Sequence, residues 1–136
     1  MANYKIEDIE GIGPAYGEKL REAGVTDTDG LLVACKTAAQ RKALAENADI
    51  SEKLVLEWAN HADLYRVKGI GSEYADLLEE AGVDTVPELA QRNAANLAAK
   101  LVEVNDAKNL VRSVPSEKEV AGWIEQATGM ERALEY

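Results

Sequence analysis

The chain has 136 residues and a formal net charge of −10 at pH 7, from 25 acidic against 15 basic side chains. That length accommodates one ordinary domain or two very small ones, and the charge opposes nonspecific attraction to nucleic acid or anionic lipid. No apolar run reaches a membrane span, no signal peptide is visible, and the single cysteine, Cys35, excludes an internal disulfide, so the chain reads as cytoplasmic with no membrane partner.

Alanine and leucine dominate, phenylalanine is absent, and no segment alternates with period two. The reading is an all-α fold. Ile9 leads into Gly11-Ile12-Gly13, and a first helix follows over Pro14–Ala23 with Tyr16, Leu20 and Ala23 on its inner side. Pro14 suits a first helical turn, and Gly24 suits a left-handed helix stop. A second helix begins near Asp27. A third begins after Thr37, with Gln40 three residues on, and runs to about Asn47. A fourth starts at Ser51 and buries Trp58.

The same phrase then recurs. At an offset of 58, Gly69-Ile70-Gly71 repeats Gly11-Ile12-Gly13, Tyr74 repeats Tyr16, Leu78 repeats Leu20, and Gly82 repeats Gly24. Thr85-Val86-Pro87-Glu88 has the form of a capping box, and Leu97, Leu101 and Val104 form the stripe of the next helix. At an offset of 65, Ser116 and Trp123 repeat Ser51 and Trp58, which places about seven extra residues before the last helix. The expected organisation is a tandem duplication of four short helices per unit, residues 4–64 and 65–129, packed as one compact domain, with a C-terminal tail over 130–136. Gly17 and Ala75 share one repeat position, where a small side chain lets the first helix approach the second closely across the hairpin. Charge does not distinguish the units: residues 1–63 carry seven basic and twelve acidic side chains, and residues 64–136 carry eight and thirteen.

The stretches Ile9–Val25 and Val67–Val83, each an apolar residue, Gly-Ile-Gly, a small residue and leucine in fixed order, resemble the helix-hairpin-helix motif. Taken whole, the chain is similar to a bacterial family of uncharacterised proteins with two such motifs and extra helices. The resemblance implies backbone amides that hold nucleic-acid phosphates without reading bases, which fixes a protein on its ligand but carries no sequence information. By position that role falls to Gly11, Ile12 and Gly13 and to Gly69, Ile70 and Gly71, with Lys19 and Arg21, and Arg66 and Lys68, as the nearby cations. Where such motifs carry a cation after the second glycine, this chain has Pro14-Ala15 and Ser72-Glu73. Glu10 and Glu73 flank the turns and compete with phosphate. Binding of DNA or RNA is therefore expected to be weak and nonspecific.

The alternative is a protein-interaction or scaffold module, with a protein partner or self-association, in which Gly-Ile-Gly serves only as a turn. Trp58 and Trp123 read as core anchors, and Tyr16 and Tyr74 as core or half-core residues. Cys35 reads as a buried small hydrophobe. His61 has no second histidine or cysteine to share a metal, so it reads as a surface or capping residue. Asp27-Thr28-Asp29-Gly30 lacks the acids of a calcium loop, because Val25 and Lys36 occupy the first and twelfth positions. No metal, no cofactor and no enzyme activity is expected, since no nucleophile–base pair, phosphate loop or dinucleotide fingerprint is present.

Overall fold

The computed structural model describes residues 3–9 and 11–135. Among them the fold is all-α: a short 3-10 turn at Ile6–Asp8, then α1 (Pro14–Glu22), α2 (Thr28–Ala34), α3 (Ala38–Ala48), α4 (Glu52–Leu64), α5 (Ser72–Glu80), α6 (Val86–Ala90), α7 (Ala94–Lys108) and α8 (Glu117–Thr128). An isolated antiparallel bridge joins Lys5 to Asp27.

Helix starts follow local side-chain chemistry. Asp27, Thr37, Ser51, Asn93 and Ser116 each accept a backbone N–H in the first turn of α2, α3, α4, α7 and α8. Thr37 with Gln40 and Ser116 with Glu119 complete reciprocal capping boxes. Asp27 is thus a helix cap, as its sequence context indicates. Thr85 departs from expectation. Its side chain meets Glu88 but takes no backbone amide, and the Val86 N–H is instead taken at 2.9 Å by Asp63, reaching across from α4. The start of α6 is thus met by a tertiary contact, and the local cap is unfilled.

Gly24 and Gly82 end α1 and α5 at φ +92° and +93°, and Val25 and Val83 each return an N–H to the helix at 2.8 Å. At Gly17 an added Cβ would stand 3.0 Å from the Glu7 side chain, so the small residue here faces the 3-10 turn and not, as expected, the second helix.

Packing repeats with the sequence. In the first half α4 lies against α2 and α3; in the second, α8 lies against α6 and α7. The halves join through α4 and α5, and one apolar cluster runs through both, from Ile6 and Leu20 through Trp58 and Leu64 to Leu78, Leu101 and Trp123. α7 has 15 residues against 11 in α3, and a longer connection precedes α8. Asn105 pins that connection, accepting from the amides of Leu110 and Val111. Residues 130–135 pack back onto the first half: Leu134 is buried, and the Glu135 N–H donates to the Lys36 carbonyl at 2.7 Å.

Candidate nucleic-acid interface

The two glycine turns have the same backbone. Gly11 and Gly69 stand at φ +91° and +99°, a region that favours glycine. The next residues, Ile12 and Ile70, are buried, and each donates its N–H at 3.1 Å to the carbonyl three residues back. The central residue of each turn is therefore an anchor, with its amide claimed inside the protein. This corrects the expectation that it offers a donor outward.

The donors that remain belong to the second glycine and the first helical turn. Gly13 and Gly71 are the N-caps of α1 and α5, where no side chain caps the helix. The N–H groups of Gly13, Ala15 and Tyr16, and of Gly71, Ser72 and Glu73, reach no backbone acceptor among the described residues. Such N–H groups carry the positive end of the helix dipole. Neither glycine is required by the protein itself. Gly13 and Gly71 have φ values of −88° and −109°, open to any residue, and a Cβ on either would meet nothing within 4 Å.

A tryptophan lies beneath each turn. An added Cβ on Gly11 would sit 3.6 Å from Nε1 of Trp58, and one on Gly69 would sit 2.9 Å from Nε1 of Trp123. Both indoles are buried, and neither N–H has a hydrogen-bond acceptor among the described residues. Tyr16 stands edge-on to Trp58 with ring centroids 5.1 Å apart, and Tyr74 lies tilted against Trp123 at 5.3 Å. The tyrosines are half-buried, as their spacing implies.

The cations do not converge on the turns. The Lys19 ammonium donates to the Asp49 carbonyl at 3.1 Å, with the Asp49 carboxylate 3.8 Å away. Arg21 pairs with Glu7, whose carboxyl it holds below the usual range. Arg66 is buried, and its guanidinium binds Asp63 at 2.8 Å and the carbonyl of Glu131. Its guanidinium is thus engaged within the fold and does not turn toward the glycine turn, where its sequence position suggests it. Asp63 itself is so enclosed that burial raises its carboxyl, against the pull of the Val86 N–H and of Arg66. Lys68 alone of the four is exposed without an ion pair among the described residues. Its backbone is fixed from both sides by Gln126, which accepts from the Lys68 N–H at 2.9 Å and donates to its carbonyl at 3.1 Å. Glu73 is exposed in the first turn of α5, and α1 carries no acid there. Glu10 lies outside the described residues.

His61 differs most from expectation. It is 3 % exposed, its Nε2 abuts the Glu79 carboxylate, and Nδ1 has no hydrogen-bond partner. Nothing local signals this, because Asp76 and Glu79 lie across a hairpin from α4. The only cue was apolar: Trp58, Ala62 and Tyr65 place His61 on a helix buried on most sides. Cys35 is fully buried, with its thiol pushed up to about 12 by that burial. Among the described residues no helix is long and apolar enough to cross a membrane. No curated protein and no solved structure matches the chain. Both turns and α1 to α8 fall within residues 10–130, which match the model of the family described as Domain of unknown function (DUF4332), and the chain belongs to that family.

Proposed function

We propose that this chain is a non-enzymatic module that holds backbone phosphates of DNA or RNA, independent of sequence, at Gly11–Gly13 and Gly69–Gly71. One observation carries the reading: Gly13 and Gly71 are glycines that neither backbone strain nor internal packing requires. A position kept free of a side chain at an uncapped helix N-terminus suits close approach of an external anion. Five other helices close the same position with a polar side chain. The unclaimed indole N–H beneath each turn adds a donor of the same sign. Two weak sites on one rigid body add through effective concentration where the ligand spans both.

With Lys19, Arg21 and Arg66 committed elsewhere, the ligand is held by backbone donors and Lys68. The salt dependence is therefore shallow, a slope of roughly −1 to −2 in log K against log salt, since each neutralised phosphate contributes about −0.9. The test is an anisotropy titration of labelled DNA and RNA at low ionic strength with Gly13→Ser and Gly71→Ser. A serine at either N-cap takes the helix amides for itself. It leaves the fold as stable as before or more so, and weakens binding severalfold. Unchanged affinity in both variants overturns the reading.

A second reading, a scaffold for a protein partner or for self-association, is favoured by the internal pairing of three of the four cations. No binding at low salt, together with a concentration-dependent oligomer in light scattering, decides for it.

A further inference from the structure

Three donor side chains of different origin meet where α4 passes α5. His61 comes from α4, while Asp76 and Glu79, three residues apart, share one face of α5. One ligand atom from each lies within 4.8 Å of the others. Donors bound at about 2.0–2.2 Å to a common ion stand roughly 3–3.5 Å apart, so the set needs only a small contraction. The two carboxylates are half-buried and the imidazole is enclosed. This is not a cluster of solvated surface acids.

Two further observations point outward from the cluster. Buried polar atoms are nearly always hydrogen-bonded, yet His61 retains a ring nitrogen with no partner. Nε2, which faces Glu79, is the nitrogen the cluster offers to an ion, and the unpartnered Nδ1 lies on the other side of the ring. Beside the cluster opens a cleft of about 240 Å³, lined by Lys53, Leu56, Glu57, Asn60, Glu79 and Asp84. It shares Glu79 with the cluster, and it is rich in carboxylate. Asp84 is held above the usual range by burial first and then by the carboxylates of Glu88 and Glu79. Negative charge is thus concentrated around one enclosed imidazole. A cation answers it by neutralising two carboxylates at once and taking a lone pair from the ring.

We propose that His61, Asp76 and Glu79 bind one divalent transition-metal ion of the Zn²⁺ or Mn²⁺ class, through one nitrogen and two carboxylate oxygens, with its open positions facing the cleft. Imidazole in the set selects against Mg²⁺ and Ca²⁺, which take oxygen. The ion clamps α4 to α5 and so stiffens the hairpin that presents Gly69–Gly71. This inference stands apart from the phosphate reading, since neither site uses the other's residues. Cys35 does not compete, because its buried thiol stays protonated at neutral pH.

The test uses chelator-treated full-length protein and Zn²⁺ alone, read by calorimetry and by long-range ¹H–¹⁵N NMR of the imidazole. His61 is the only histidine in the chain, so the ring signal is unambiguous. One ion per chain binds, one ring nitrogen shifts, and the thermal midpoint rises. Glu79→Gln and Asp76→Asn each weaken binding at least about tenfold, the minimum expected when even supporting residues cost that much. Glu117→Gln, exposed at the start of α8, leaves binding intact. Ring nitrogens unmoved at millimolar Zn²⁺ overturn the proposal. So does affinity equal to that of the parent in both site variants, which would assign the ion to surface acids. If a variant fails to fold by circular dichroism, the ring signal of the parent protein decides.

Discussion

The turn at Gly11–Gly13 and the turn at Gly69–Gly71 agree in backbone and differ in side chains. Turn angle, internal amide bond, indole beneath, tyrosine against the indole and uncapped helix start recur in both. The charges do not recur. Around the first turn Lys19 and Arg21 are drawn to Asp49 and Glu7; beside the second, Arg66 is drawn into the interior while Lys68 stays exposed. Residues that align in the sequence repeat also differ in what they contact. Gln126, which grips the backbone of Lys68, occupies the repeat position of His61, which turns instead to α5. What is common to the turns is thus a set of backbone donors, and any shared activity rests on those. The turns differ in charge and in how closely the indole approaches the first glycine.

The largest expected effect separates the two arginines. Arg66→Met leaves Asp63 as an uncompensated buried carboxylate and loosens residues 130–135, which costs about 3–5 kcal/mol in urea unfolding. A second change, Asp63→Asn, retains an acceptor for the Val86 N–H and recovers part of that loss. Arg21→Gln removes an exposed pair and leaves the unfolding midpoint within error. Equal losses for the two arginines would break the contrast drawn here.

A smaller difference tests the turns directly. Gly69→Ala meets the cost of a non-glycine residue at φ +99° and places a Cβ 2.9 Å from Nε1 of Trp123, for a total of about 2–4 kcal/mol. Gly11→Ala carries the same backbone cost, but its Cβ meets Trp58 at an ordinary 3.6 Å, so about 1–2 kcal/mol is expected. Both losses are read from urea midpoints at constant slope.

These contrasts mark what a linear reading can reach. Helix starts were legible where the cap is local: Asp27, Thr37, Ser51 and Ser116 each act within three residues of themselves. The tryptophans were legible as core because they sit among apolar neighbours in both repeats. Thr85, His61 and Arg66 were misread for one reason. Each site has a partner far along the chain: Asp63 meets the first amide of α6, Glu79 receives His61, and the Glu131 carbonyl binds Arg66. Local chemistry assigns a polar residue to solvent by default, and only the assembled fold shows which carboxylate or carbonyl lies opposite. The return of the C-terminal residues escaped for the same reason, since the Glu135 N–H meets the carbonyl of Lys36, far back along the chain.

Alkali sharpens the comparison of the halves, because the thiol belongs to the first alone. Burial pushes the Cys35 thiol up to about 12 in the folded protein, from an ordinary value near 9. Its protonated form therefore favours the fold below pH 9, and that stability is lost as pH rises toward 12. Between those limits the unfolded chain has released a proton that the folded chain keeps, so stability falls by up to about 1.4 kcal/mol per pH unit. Cys35→Ala flattens that slope. Native Cys35 also resists thiol reagents at neutral pH, and reacts on unfolding.

The smallest effect decides which turn does more. Lys68→Gln and Arg21→Gln each remove one positive charge close to a glycine turn, so net charge alone predicts equal losses of affinity for labelled DNA. Pairing predicts otherwise. Arg21 is already neutralised by Glu7, whereas Lys68 has no carboxylate partner among the described residues. Lys68→Gln should therefore reduce the salt slope by about 0.9 and lower affinity severalfold at low salt. Arg21→Gln should leave the slope unchanged. Equal slopes for both variants would place the ligand's phosphates away from the second turn, and with them the part of the reading that Lys68 supports.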